Sequence, residues 1–206
     1  LEGLIRKINP DVVVNAVDPR FVMNIFNATK NAGVNYIDMA MSLSIAHPTD
    51  PFNKVGVMLG DDQFAQDTEW KKSGKYALVG MGIEPGMSDV FARYAEDELF
   101  SRIDYLAVMD GSNLTVDGYD FAPSFSIWTT IEECLNPPLI WRDDAWHTAK
   151  PFTGAVTFDF PDGIGPVECV DVEHEEVVLI PKKIKAKEVT FKYGLGNDFI
   201  EKLKTI

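Results

Sequence analysis

Residues 75–99, KYALVGMGIEPGMSDVFARYAEDEL, constrain the fold more than any other stretch. The apolar run 76–79 has the character of a buried parallel strand. Gly80, Gly82 and Gly86 then surround a turn where backbone must fold tightly or approach something closely. Pro85 sits where a helix can begin, because the N–H it lacks is one that a first turn leaves unbonded. Met87, Val90, Phe91, Tyr94, Ala95 and Leu99 recur at helical spacing and predict a helix with one apolar face, Arg93, Glu96 and Asp97 lying opposite. In an open α/β sheet ligands bind beyond the carboxyl end of such a strand, which makes 81–89 the first candidate site.

The preceding residues extend the pattern. DVVVNAV (11–17) predicts a strand buried on both faces. Asp18 caps the next helix and Pro19 begins it, Val22, Ile25, Phe26 and Thr29 form its inner face, and Gly33 ends it. NYIDM (35–39) is the next strand, parallel to the first with a right-handed crossover. His47-Pro48 and Asp50-Pro51 break any helix in 41–60, a loop long enough to be functional or a lid. Asp61 or Asp62 caps a further helix that stops at Gly74. Residues 11–99 therefore read β-α-β-loop-α-β-α, most of one half of a doubly wound nucleotide-binding α/β fold. No glycine-rich phosphate turn precedes Asp11, so a complete dinucleotide domain needs strands ahead of Leu1. The expectation is a fragment, opening on Leu1 rather than Met.

Past residue 100 the chain turns β-rich. Strands are predicted at 103–109, 156–160, 167–170, 177–180 and 189–193, a turn at 110–113, and a hairpin pairing 139–141 with 146–148. One helix spans 124–135, with Phe125, Trp128, Ile131 and Leu135 on one face and Asn136-Pro137-Pro138 ending it. Strands gathered round a helix suggest an α+β layer whose free face serves a homodimer.

The formal net charge of −13 argues against nucleic acid and anionic membranes as partners. No apolar run approaches a membrane span and no secretory signal opens the chain. Two cysteines, Cys134 and Cys169, make no disulfide framework and fit a reducing cytoplasm as packed thiols. His47, His147 and His174 lie far apart, so no metal site is expected. His147 and His174 read as surface imidazoles, the latter with a raised pKa if it points with Glu173, Glu175 and Glu176.

Gly80, Gly82 and Gly86 also imitate a dinucleotide fingerprint, with Asp110 as the acid ending the following strand. Against it, Pro85 lacks an N–H and Glu84 sets a negative charge beside the phosphates. A short-chain reductase would further need a Tyr-x-x-x-Lys pair, which neither Tyr94 nor Tyr119 begins. A plain strand–helix connection is the remaining alternative.

GMGIEPGMSDVFARYA resembles the saccharopine dehydrogenase family segment in which a glycine-rich turn carries an acid-Pro-Gly triplet. DVVVNAVDP followed by NYIDMAM resembles the two preceding strands of that family's cofactor domain. FAPSFSIWTTIEECLNPP and FPDGIGPVECV resemble its second domain. The resemblance implies a partial Rossmann-like NAD(P)-binding domain (1–99) followed by an α+β substrate and dimerisation domain (100–206). It implies hydride transfer between NAD or NADP and a C–N bond of an amine or amino-acid substrate. Asn15, Ala16, Val17, Asp38, Met39 and Ala40 would line the nicotinamide side, joined by Met81 and Gly82 of the turn. Glu84 would face the substrate as the catalytic group, with Ser42 as a second substrate contact. Each assignment has a structural competitor: Glu84 as a helix-end charge, Ser42 as a loop serine, Asn15 and Asp38 as loop anchors. Asp89 reads as a helix-end stabiliser. A non-catalytic sensor or assembly domain of the same fold is the other reading of the whole.

Overall fold

A computed structural model describes residues 1–119 and 126–205. In chain order it comprises α1 (Glu2–Ile8), β1 (Val12–Asn15), α2 (Val22–Ala32), β2 (Asn35–Asp38), α3 (Asp61–Phe64), α4 (Asp67–Ser73), β3 (Ala77–Leu78), α5 (Met87–Tyr94) and β4 (Ile103–Gly111). There follow α6 (Ile127–Leu135), β5 (Leu139–Arg142), β6 (Ala145–Thr148), β7 (Val156–Phe160), β8 (Gly165–Asp171), α7 (Glu176–Leu179), β9 (Ala186–Gly194) and α8 (Asn197–Leu203).

Local chemistry sets the boundaries in the first half. The Asp18 carboxylate accepts from the Arg20 N–H, Pro19 opens a 3₁₀ turn, and α2 follows. Gly33, at φ 75°, closes α2 in the left-handed region that favours glycine. Val22, Phe26 and Thr29 are buried, and the Phe26 ring meets Tyr36 of β2 and Trp70 of α4, each at 5.1 Å between centroids. That small aromatic core fixes α2 and α4 on one side of a parallel sheet ordered β1-β2-β3. Its register pairs Asn15 with Asp38, so the strand ends finish level.

The second sheet is built round β9. β4 runs parallel to it from Ile103↔Ala186 to Gly111↔Gly194, while β5 and β8 share its other edge antiparallel. The β5–β6 hairpin turns through Asp143 and Asp144, both with positive φ, and β7 pairs with β8. Cys134 of α6, Val177 of α7, Phe191 of β9 and Phe199 of α8 form its core, which also takes in Met41 and Leu59. Both ends of the 41–60 segment are thus built into the second sheet's core. No helix among the described residues is long and apolar enough to cross a membrane.

Several expectations need correction. β1 is not buried on both faces: Val12 and Val14 are exposed, because β1 is an edge strand with one bare face. The apolar face of α5 likewise points outward. Val90, Phe91 and Tyr94 are exposed, and it is Ala92 that joins the cluster with Ile180 and Ile184. Residues 177–180 are helical, since the Val178 and Leu179 N–H groups both return to the Glu175 carbonyl; a run of core-facing β-branched residues imitated a strand. Asp110 and Gly111 prolong β4 instead of turning. The helix expected from 124 begins at Ile127, with the Ser126 hydroxyl accepting from the Thr129 N–H; Ser124 and Phe125 lie outside the described residues. Trp128 is exposed on that helix, and Thr130 and Cys134 are buried.

Candidate functional site

The site grows from the level ends of β1 and β2 and the turn that follows β3. Asp38 is fully buried and accepts from the Gly80 N–H at 2.7 Å and from the Gln63 side-chain amide at 2.7 Å. Burial nevertheless disfavours its charge and raises its pKa. The Asn15 amide donates to the Tyr36 hydroxyl at 2.9 Å, and the Ser42 N–H donates to Gln63 Oε1 at 2.8 Å. The structure therefore brings Asn15, Asp38 and Ser42 together, but as an internal network that anchors the strand ends. The Ser42 hydroxyl is buried with no hydrogen-bond partner among the described residues.

Around that anchor lie exposed apolar positions. Ala16, Val17, Met39 and Met81 reach solvent, and Ala40 is half-buried. Gly82 sits directly against Met39: a Cβ on Gly82 would stand 3.5 Å from the Met39 carbonyl oxygen. The Met81 N–H donates to the Asp38 carbonyl at 2.8 Å, which fixes the turn against β2.

Six of the turn's N–H groups are spent internally. Gly80 and Met81 donate to Asp38, Gly82 to the Pro85 carbonyl, Gly86 to the Asp89 carboxylate, Met87 to Gly82 and Ser88 to Ile83. The Glu84–Pro85 peptide is cis, and Pro85 lies ahead of the helix, not in its first turn. A phosphate would find these donors occupied, so the fingerprint reading of Gly80, Gly82 and Gly86 lacks its mechanism. Asp89 caps α5 as expected.

Glu84 is half-buried on this turn, and its neighbours come from the second sheet. Asp110 at the end of β4, His174, Glu176 and Tyr193 lie close enough to act on its charge or be acted on by it. Burial, then the Asp110 charge, push the Glu84 carboxyl up to about 7, with His174 pulling the other way. Burial and Glu176 push Asp89 up to about 6. Glu133 of α6 is pushed up to about 8 by burial, although the Tyr193 hydroxyl donates to it at 3.0 Å.

His174 corrects the sequence reading most sharply. It is only 3 % exposed, not a surface imidazole. Its ring stacks on Phe191 at 3.7 Å and 8°, and its Nδ1 hydrogen-bonds to Glu176. Burial opposes its charge, yet the carboxylates of Glu176, Glu175 and Glu133 prevail and hold it up to about 10. The ligand atoms of His174, Glu175 and Glu176 fall within 4.8 Å of one another, but the imidazole nitrogen is already committed to Glu176. The arrangement is a half-buried cluster of carboxyls round one buried imidazole.

The sequence reading took Asp110 as a fingerprint acid or a turn residue and Glu176 as one of the acids that would raise the His174 pKa, which the structure bears out, and gave Glu133 and Tyr193 no role. A signal existed: Glu173-His174-Glu175-Glu176 lies between apolar Val170, Val172 and Val177, Val178, and all four valines are buried.

Apo saccharopine dehydrogenase (L-Glu forming) from Saccharomyces cerevisiae superposes with a TM-score of 0.64 at 15% identity, over 98% of this chain and 44% of that one. The chain has a saccharopine dehydrogenase-like fold. This agrees with the mixed α/β architecture expected from the sequence. The chain is also 30% identical over 200 residues to carboxynorspermidine synthase of Vibrio cholerae, covering 97% of itself and 47% of that protein. It is 27% identical over 204 residues to carboxyaminopropylagmatine dehydrogenase of Synechocystis sp., covering 98% and 49%. The chain spans about half the length of the curated relatives it matches. No family model matches it.

Proposed function

We propose that this chain is the substrate-facing portion of an NAD- or NADP-dependent oxidoreductase acting on a carbon–nitrogen bond of a cationic amine or amino acid. The observation that carries the reading is Glu84, a half-buried carboxyl on the turn beyond β3, set near Asp110 and pushed up to about 7 by burial and the Asp110 charge. The names of the relatives, a carboxynorspermidine synthase and a carboxyaminopropylagmatine dehydrogenase, support the amine class.

The exposed apolar residues at the strand ends and the turn (Ala16, Val17, Met39 and Met81) fit a flat nicotinamide ring, and the occupied N–H groups of the turn do not fit a pyrophosphate. Those four residues and Gly82 would hold the nicotinamide end, with Asn15 and Asp38 as the scaffold beneath. A bound nicotinamide would supply the hydride chemistry. Glu84 would take the proton from the substrate nitrogen, which a group with a pKa near the working pH does best. Asp110 would hold the remaining positive charge, since a part-buried carboxylate pairs more strongly with an ammonium than an exposed one. Ser42 would contact the substrate only by turning its unpartnered hydroxyl outward. We further propose a cytoplasmic homodimer formed through the second sheet, with domains divided near residue 100.

The test uses carboxynorspermidine, named in the relatives, as the probe, with nicotinamide absorbance as the readout. Glu84→Gln in the full-length protein is expected to lower kcat/KM about 100-fold or more, the usual worth of a general acid–base group. Cofactor affinity should stay within about twofold. Equal losses in substrate and cofactor binding would overturn the assignment.

A further inference from the structure

We propose that His174 is the positioning residue of Glu84: bolted through Glu176 to the first turn of α5, its imidazole holds the Glu84 turn in place and sets the charge against which that carboxyl works. The inference rests on the reading of Glu84 as the proton-transfer group. The connection is continuous. His174 Nδ1 bonds one oxygen of Glu176, and the Ser88 hydroxyl donates to the other at 2.7 Å. The Ser88 N–H donates to the Ile83 carbonyl at 3.0 Å, the residue before Glu84. On its far side the ring is clamped by Phe191, stacked at 3.7 Å, and by the edge of Tyr193 at 5.7 Å. The same segment ties to the loop after β2, because the Met41 N–H donates to Glu175 Oε1 at 3.1 Å.

The charges make that placement consequential. His174 is faced by Glu175 and Glu176 of its own segment, Glu133 of α6, Asp89 of α5 and Glu84 of the turn. Glu84 is faced by Asp110 of β4, Glu176 and His174, with Tyr193 of β9 beside it. Among these groups the imidazole alone favours ionised Glu84; the carboxylates oppose it. A mere packing ring would hold the turn but would leave the Glu84 titration where it is.

The experiment follows the Glu84 carboxyl directly by ¹³C NMR of the chain labelled at glutamate, its signal assigned by its loss in Glu84→Gln. His174→Gln keeps a donor toward Glu176 and removes the charge. Its expected effect is a rise in the Glu84 midpoint from about 7 by roughly half a unit or more, about threefold in acidity. A folded His174→Gln with an unmoved midpoint overturns the proposal. Should His174→Gln lose its near-ultraviolet circular dichroism, His174→Asn, which also removes the charge, serves instead with the same readout, and an unmoved midpoint in that folded variant overturns the proposal. The two readings separate cleanly. A moved midpoint with normal turnover in Glu84→Gln overturns the role of Glu84 alone; an unmoved midpoint with crippled turnover overturns the role of His174 alone.

Discussion

Gly86 shows how tightly single residues define the turn under Glu84. It sits at φ 127°, and a Cβ there would lie 2.5 Å from the Gly82 carbonyl oxygen and 2.7 Å from the Gly82 nitrogen. Both neighbours are backbone, so nothing yields cheaply. Gly86→Ala is expected to destabilise the chain by at least about 2 kcal/mol, read by urea denaturation, since left-handed strain alone costs about 1–3 kcal/mol. Retained stability would mean the turn is looser than drawn. The glycines, the acid at 84 and the cap at Asp89 were all legible in the sequence, because each is a demand of local backbone geometry. The partners of Glu84 were not. Asp110 and His174 lie 26 and 90 positions further along, and no spacing rule joins them.

At the scale of elements, the apolar periodicity located most helices and strands and misjudged which faces are covered. α2 and α5 both carry an apolar stripe. Phe26 on α2 is 1 % exposed against Tyr36 and Trp70, whereas Phe91 on α5 is 64 % exposed. Phe26→Ala should therefore cost about 3–5 kcal/mol, as for a buried aromatic. Phe91→Ser should stay within about 0.5 kcal/mol, as for a surface substitution. Comparable losses by denaturation would show that the α5 face is covered in solution. Periodicity reports that a face is apolar, and only the arrangement of neighbouring elements decides whether anything lies against it. The same distinction explains 177–180, where core-facing valines sit on one helical turn.

For the whole molecule, the concentration of raised carboxyls predicts how stability depends on pH. Glu84, Asp89 and Glu133 titrate at about 7, 6 and 8 in the fold, above the ordinary values of 4.5, 3.8 and 4.5. Between each ordinary value and its raised one, the native state keeps a proton that the unfolded chain has released, so stability falls as pH rises. His174, raised to about 10 from 6.5, acts in the same direction: its contribution is complete below 6.5 and lost through 10. The thermal midpoint should therefore decline steadily from about pH 5 to pH 9, measured by calorimetry, and a midpoint that rises over that range would contradict the buried cluster. Sequence by itself determined the strand–turn–helix grammar, the acidic balance and the resemblance to saccharopine dehydrogenases, because these are written in short-range spacing and composition. Tertiary structure alone decided that an acid from the glycine turn, another from the end of β4 and a buried histidine before α7 meet in one cluster. Long-range packing brings them there, and charges placed by packing change one another's chemistry only once they are close and out of water.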